Sequence, residues 1–279
     1  MAINLSKQIA FVKLNPRAKH PIRGSRHAAG FDLYSPDHTF IRSGDRSLVA
    51  TGLSFMMPLG TYARLATRSS YAIRGIDVGA GVIDPDYTGE VKVLVINNSD
   101  EDLQIKEGDR FAQVIFEFYH TGKMLEITDL NAIEQPDEES ILVVRKEPNT
   151  RLPEKYTEDS VSFDFIADAA FLMQPKSRKN IMTGVKFLFS SKAYGYISGK
   201  VDLTLQGVDC IETIINAEPD DDEVTIMLHN RSNMPIFIER GEKIIIFVKN
   251  AAQVNATSIL GEPLKTERGA LGFGSTGNR

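Results

Sequence analysis

Five short runs of this 279-residue chain carry residue types suited to phosphate chemistry. Ala28-Ala29-Gly30-Phe31-Asp32-Leu33 sets a carboxylate at the start of an apolar strand. Ala66-Thr67-Arg68-Ser69-Ser70 sets a cation and hydroxyls where a short helix, Ser69–Ile73, is predicted to begin. A helix N-terminus offers unpaired N–H groups and a positive dipole end, which favour phosphate. Gly79-Ala80-Gly81-Val82-Ile83-Asp84-Pro85-Asp86-Tyr87-Thr88-Gly89 reads as a hairpin whose glycines let backbone approach a ligand. Gly108-Asp109-Arg110-Phe111-Ala112-Gln113 is a turn feeding a strand with an inward amide, and the chain ends in a Gly-rich run from Arg268. Taken singly, each has an ordinary reading: Asp32 a turn or cap, Arg68 a surface charge, the hairpin a hairpin, the tail a linker. Their order along the chain is what points to a site.

The elements that must position these residues are short strands. Ile9–Val12, Leu48–Met56, Val91–Ile96 and Phe111–Phe116 are rich in β-branched or aromatic residues and bounded by Gly, Pro, Asn and Asp. Helical periodicity is nearly absent, which predicts an all-β sandwich or barrel. The pattern is also written twice. At a shift of 132 residues, Thr51-Gly52 falls on Thr183-Gly184 and Gly75-Ile76-Asp77 on Gly207-Val208-Asp209. At a shift of 133, Asn97 falls on Asn230, Ser99 on Ser232 and Gly108 on Gly241. Matched turn residues are not explained by apolar alternation, so two copies of one β fold are expected. The expected units are 1–130, a polar linker at 131–140, a second unit at 141–260 and a tail at 261–279.

Composition narrows the function. A net charge of −5 argues against a general nucleic-acid binder while allowing a local basic pocket. One cysteine, Cys210, excludes a disulfide framework within the chain and a multi-cysteine zinc site. No secretory signal is read in the first residues, and no stretch approaches about 18 apolar residues. The expectation is an intracellular protein, cytoplasmic or nuclear, with no membrane partner.

The runs AAGFDLYS, ARLATRSSYA, GAGVIDPDYTGEVKV, GDRFAQVIF and RGALGFGSTG together resemble the five ordered motifs of the trimeric deoxyuridine triphosphatases, the dUTPases. The resemblance implies tandem dUTPase-like β-barrel or jelly-roll domains. It also implies hydrolysis of dUTP to dUMP and pyrophosphate by water attacking the α-phosphorus, which supplies dUMP and limits uracil in DNA. By resemblance, Asp84 holds the attacking water and Gln113 bonds a phosphate or that water. Tyr87 lies under the deoxyribose and excludes a 2′-hydroxyl, while backbone around Gly79, Gly81, Val82 and Ile83 reads the uracil edge. Arg68, Ser69 and Ser70 contact phosphates. Mg²⁺ rides on the triphosphate, with Asp32 helping only indirectly. In the tail, Arg268 reaches the γ-phosphate, Phe273 stacks on uracil, and Gly274 and Ser275 wrap the substrate. Two positions depart from the family: Thr67 stands for its Pro, which loosens the turn slightly, and Ser70 stands for its Gly, where a side chain crowds the phosphates if the position needs an unusual backbone angle.

In the second copy Arg68 becomes Lys200, Ser69 becomes Val201 and Gln113 becomes Ile246. Asp84 becomes Asn216 or Ala217, and Tyr87 becomes Pro219 or Asp220. That copy keeps the tail and loses the pocket. Herpesvirus-type relatives divide their motifs between halves so that one chain closes its own site; here the first four motifs all lie in 28–116. The expectation is therefore a homotrimer whose sites are built between first domains, with the degenerate domains outside or stacked. The rival readings are a dCTP deaminase of the same superfamily and a non-catalytic binding or regulatory module on this fold.

Overall fold

A computed structural model describes residues 9–26, 28–58, 60–119, 123–128, 140–158, 160–190, 193–215 and 223–251. Among these residues the fold is all-β apart from two short helices, Ser69–Ala72 and Val201–Gln206. In the first half a five-stranded sheet runs in the order Ile22–Arg23, Phe31–Tyr34, Arg110–Phe118, Thr61–Thr67, Val82–Ile83. The second half repeats it as Glu154–Lys155, Ser162–Ile166, Lys243–Ala251, Ala193–Gly199, Thr213–Ile215. A three-stranded sheet also recurs: Arg46–Ala50, Lys92–Asn97, Ile76–Gly79 against Arg178–Met182, Thr225–Asn230, Val208–Cys210. Each half closes its own apolar core, one around Leu33, Leu53 and Val114, the other around Ile141, Val185 and Phe247. The chain is thus two tandem domains of one fold.

The echoed turn residues have a physical cause. Asn97 and Asn230 are fully buried, and each side-chain amide donates to three backbone carbonyls: Ile41, Arg42 and Glu101 in one half, Met173, Gln174 and Met234 in the other. A buried carbonyl left unpaired costs free energy, so this position holds a residue with two donors. Gly52 and Gly184 both take φ near +67° (67° and 68°), a conformation other side chains rarely adopt. That turn corrects the single strand expected over Leu48–Met56: it is two strands, Arg46–Ala50 and Leu53–Met56, broken at Gly52. The predicted helix is present but ends at Ala72 rather than Ile73.

One pairing crosses between the halves. Met124–Glu126, inside the span expected for the first unit, lies parallel to Ile141–Arg145 and completes a sheet of the second half. Among the described residues its counterpart sheet in the first half has two strands, Ala10–Lys13 and Leu53–Met56.

Candidate active site

The central strands of the first sheet assemble a compact polar cluster. Phe31–Tyr34 and Thr61–Thr67 flank Arg110–Phe118, and the register sets Gln113 opposite both Asp32 and Ala66. Arg68 follows directly on Thr67. Its Nε donates to Asp32 Oδ1 at 2.9 Å and its Nη1 to the Arg110 carbonyl at 2.7 Å. Arg110 Nη1 donates to the second oxygen, Asp32 Oδ2, at 3.1 Å. Asp32, Arg68 and Arg110 are all buried, so a lone carboxylate is held between two guanidiniums and the cluster is left with net positive charge. Burial of such charges is tolerable only because they are paired. Gln113 Nε2 donates to the Thr67 carbonyl at 3.1 Å, which fixes the amide beside this group.

Ser69 is exposed at the start of the helix, whereas the Ser70 hydroxyl is buried and finds no hydrogen-bond partner. That orphaned hydroxyl suits a ligand oxygen. Ser70 lies within the helix, and the positive-φ residues do not include it, so the position makes no demand for glycine and the substitution does not crowd the backbone. The helix itself is only four residues long, and the Arg68 N-cap makes no side-chain capping bond. Its dipole is correspondingly weaker than the sequence argument assumed.

Sequence reasoning passed over Arg110, although it lies within the Gly108–Gln113 run. A signal was available. At the 133-residue shift Arg110 meets Lys243, and the second half builds the same device: Asp164 Oδ1 meets Lys200 Nζ at 2.5 Å and Oδ2 meets Lys243 Nζ at 2.7 Å. One carboxylate between two cations has survived in both copies, with lysine replacing arginine twice.

The hairpin stands apart from the first cluster. Val82 and Ile83 pair with Arg64 and Ala63, at the far end of Thr61–Thr67. A Cβ on Gly81 would come 2.5 Å from the Leu65 carbonyl, so only glycine lets the hairpin seat there. Ile83, the residue before Asp84, opposes Ala63, while Gln113 opposes Ala66. Three residues at roughly 3.3 Å each separate Ile83 from Gln113 by about 10 Å along the strand, and the two lie on opposite sides of it. Tyr87 is exposed, its N–H donating to the Asp84 carbonyl at 3.2 Å and its hydroxyl to the Glu90 carbonyl at 2.9 Å. Within one chain, then, Asp32, Arg68 and Gln113 come together with Arg110, and Gly79, Gly81, Val82, Ile83, Asp84 and Tyr87 do not join them.

Instead the hairpin faces the second half. Ala80, Val82 and Asp84 share a cleft of about 640 Å³ with Asp164, Lys200 and Ile246. Asp84 Oδ1 accepts the Val161 N–H at 2.9 Å. Burial pushes the Asp84 carboxyl above its ordinary range, and that hydrogen bond offsets the shift only in part. Among the described residues no group of three or more His, Cys, Asp or Glu could hold a metal ion. Both Asp32 oxygens are committed to arginines, so that carboxylate offers no open ligand to Mg²⁺. Arg268, Phe273, Gly274 and Ser275 lie outside the described residues, as do Asn216, Ala217, Pro219 and Asp220.

The dUTPase family model matches residues 17–140 and again 149–277. The chain is 48% identical over 115 residues to the deoxyuridine 5′-triphosphate nucleotidohydrolase of Candida albicans, covering 41% of this chain and 72% of that one. It is 46% identical over 134 residues to the enzyme of the same description from Yarrowia lipolytica, covering 47% and 84%. Against that of camelpox virus it is 40% identical over 136 residues, covering 49% and 92%. Each relative corresponds to about half of this chain.

Proposed function

We propose that this chain, which belongs to the dUTPase family, hydrolyses dUTP to dUMP and pyrophosphate, limiting uracil in DNA and supplying dUMP. The observation that carries the reading is the buried Asp32–Arg68–Arg110 group with Gln113 beside it. A net positive, pre-organised cluster is what a triphosphate needs for charge stabilisation without reorganisation. Asp84 acts as general base on the attacking water. A carboxyl raised by burial is a better base near neutral pH than an ordinary one. Gln113 bonds a phosphate or that water, Ser69 and Ser70 donate to phosphates, and Arg68 acts with Arg110 as the fixed source of positive charge. Tyr87 excludes a 2′-hydroxyl, and the backbone of Gly79, Gly81, Val82 and Ile83 reads uracil. From the tail, Arg268 and Phe273 close over γ-phosphate and base, with Gly274 and Ser275 between them. When bound, Mg²⁺ supplies further charge neutralisation, its oxygens coming from the triphosphate rather than from these side chains.

Because Asp84 and Gln113 of one chain lie on opposite sides of a strand, a base within hydrogen-bond reach of the phosphate cluster must come from another copy. The proposed assembly is a homotrimer, with each site made from one chain's cluster and another chain's hairpin. A nucleotide substrate of this kind calls for an intracellular enzyme, cytoplasmic or nuclear.

Purified chain incubated with dUTP, UTP and dCTP tests the reading. Release of dUMP and pyrophosphate from dUTP alone is expected. Formation of dUTP from dCTP would make it a deaminase, and inertness toward all three would make it a binding module.

A further inference from the structure

The hairpin that carries Asp84 is held by its own chain. Gly79 approaches the helix Val201–Gln206 so closely that a Cβ on it would lie 2.9 Å from Thr204 Cγ2. Val82 packs on an apolar cluster drawn from both halves, Tyr62 and Tyr119 from one and Val161 and Val248 from the other. Arg46 Nη1 donates to Asp209 Oδ1 and to the Thr204 carbonyl, both at 2.7 Å, and Arg231 Nη1 donates to Asn98 Oδ1 at 2.9 Å. The Asp84–Val161 bond and the contacts of Gly79 and Val82 seat the hairpin on the second half, and the Arg46 and Arg231 bonds hold the two halves together around it.

The pocket it meets there is wrong for the chemistry. Four carboxylates line the cleft, Asp84, Asp164, Asp202 and Glu242, against two ammonium groups, Lys200 and Lys243. A triphosphate entering it would meet like charge. Ile246 stands where the first cluster has Gln113, and an apolar side chain cannot bond a phosphate oxygen. If every chain kept its hairpin in this cleft, no Asp84 would ever reach a cluster of Asp32, Arg68, Arg110 and Gln113.

We propose that the second half is an in-chain competitor for the catalytic hairpin, and that hydrolysis waits on the hairpin leaving it for the cluster of a second copy of this chain. The inference rests on the dUTP-hydrolysis reading above. It gives the degenerate domain a function: it occupies the hairpin in the lone chain and couples activity to assembly.

The only cysteine of the chain reports on this contact. Cys210 lines a cavity of about 230 Å³ between the halves, together with Gly79, Ala80 and Thr204. Burial, with Glu212 and Asp209 adding, pushes its thiol up to about 12, so the docked thiol reacts slowly. The test uses full-length wild type, Arg46→Ala and Asn98→Ala, which weaken the polar contacts between the halves without touching the cluster, the hairpin or the charges that act on Cys210. Maleimide labelling of Cys210 and dUMP release per chain are measured over a dilution series, with circular dichroism to establish folding. Folded variants are expected to label several-fold faster and to release more dUMP per chain at low concentration. Wild type is expected to label faster when saturated with a non-hydrolysable dUTP analogue. Labelling that is unchanged in the folded variants and in analogue-bound wild type would overturn the proposal, as would faster labelling with equal or lower activity. A wild type inert toward dUTP at every concentration would remove the activity reading alone, since the labelling still decides whether the contact opens.

Discussion

Asp84 carries a charge that its surroundings penalise. Its carboxyl is shifted upward, mainly by burial, so the folded chain holds the proton more tightly than the unfolded chain does. Stability from this residue is therefore lost as pH rises from below the ordinary carboxylate range through the raised value. Asp84→Asn removes the penalty and keeps an oxygen for the Val161 N–H. The variant is expected to melt above wild type at neutral pH, with the difference closing as the pH falls below the carboxylate range. Its dUTP turnover is expected to drop about 10²–10⁴-fold, the usual loss on removing a general base. A lower melting temperature at neutral pH would contradict the electrostatic account. Asp32 is expected to behave oppositely. Asp32→Ala strands two buried guanidiniums and is expected to cost about 3–5 kcal/mol in denaturant unfolding. Asp164→Ala is expected to cost less, because Lys200 and Lys243 retain contact with water. Asp32, Arg68 and Gln113 were legible in the sequence because motif order singled them out. Arg110 was legible only through its echo at Lys243, which a comparison by identity alone passes over.

Among the elements, the repeated sheets were readable because alternation and turn chemistry act locally. Asn97 with Asn230, and Gly52 with Gly184, mark positions where the backbone permits few residue types. What could not be read was anything set by the meeting of distant parts. The parallel pairing of Met124–Glu126 with Ile141–Arg145 depends on how the halves sit together, and so does the hairpin's seat on the second half. The hairpin's other anchor is local. Gly81 lies against the Leu65 carbonyl, and the Leu65 N–H donates to the Gly81 carbonyl at 2.8 Å. Gly81→Ala must push the hairpin off this strand. A displacement near 1 Å at a reacting group can cost about 10²-fold, and a loss of that order in turnover is expected, with the circular dichroism spectrum retained. Turnover at the wild-type rate would show that the hairpin's seat on Thr61–Thr67 does not position Asp84.

At the scale of the molecule, duplication has left both parts of the proposed site in one half of the chain. The first half keeps the buried cluster and the hairpin proposed to form the site, yet the strand between them keeps the two apart. The second half keeps the paired carboxylate and cations but presents Ile246 and an acidic cleft to any substrate. The central claim is that a working site joins the cluster of one chain to the hairpin of another, and mixing two disabled chains tests it most directly. Asp84→Asn lacks the base. Gln113→Ile, which borrows the second half's own residue, lacks the amide. Each alone is expected to hydrolyse dUTP poorly. Mixed in equal amounts under conditions that allow exchange, they are expected to recover roughly a quarter of the wild-type rate, the share of sites pairing an intact hairpin with an intact cluster when a head-to-tail ring assembles at random. A mixture no more active than the average of its two components would contradict the shared site.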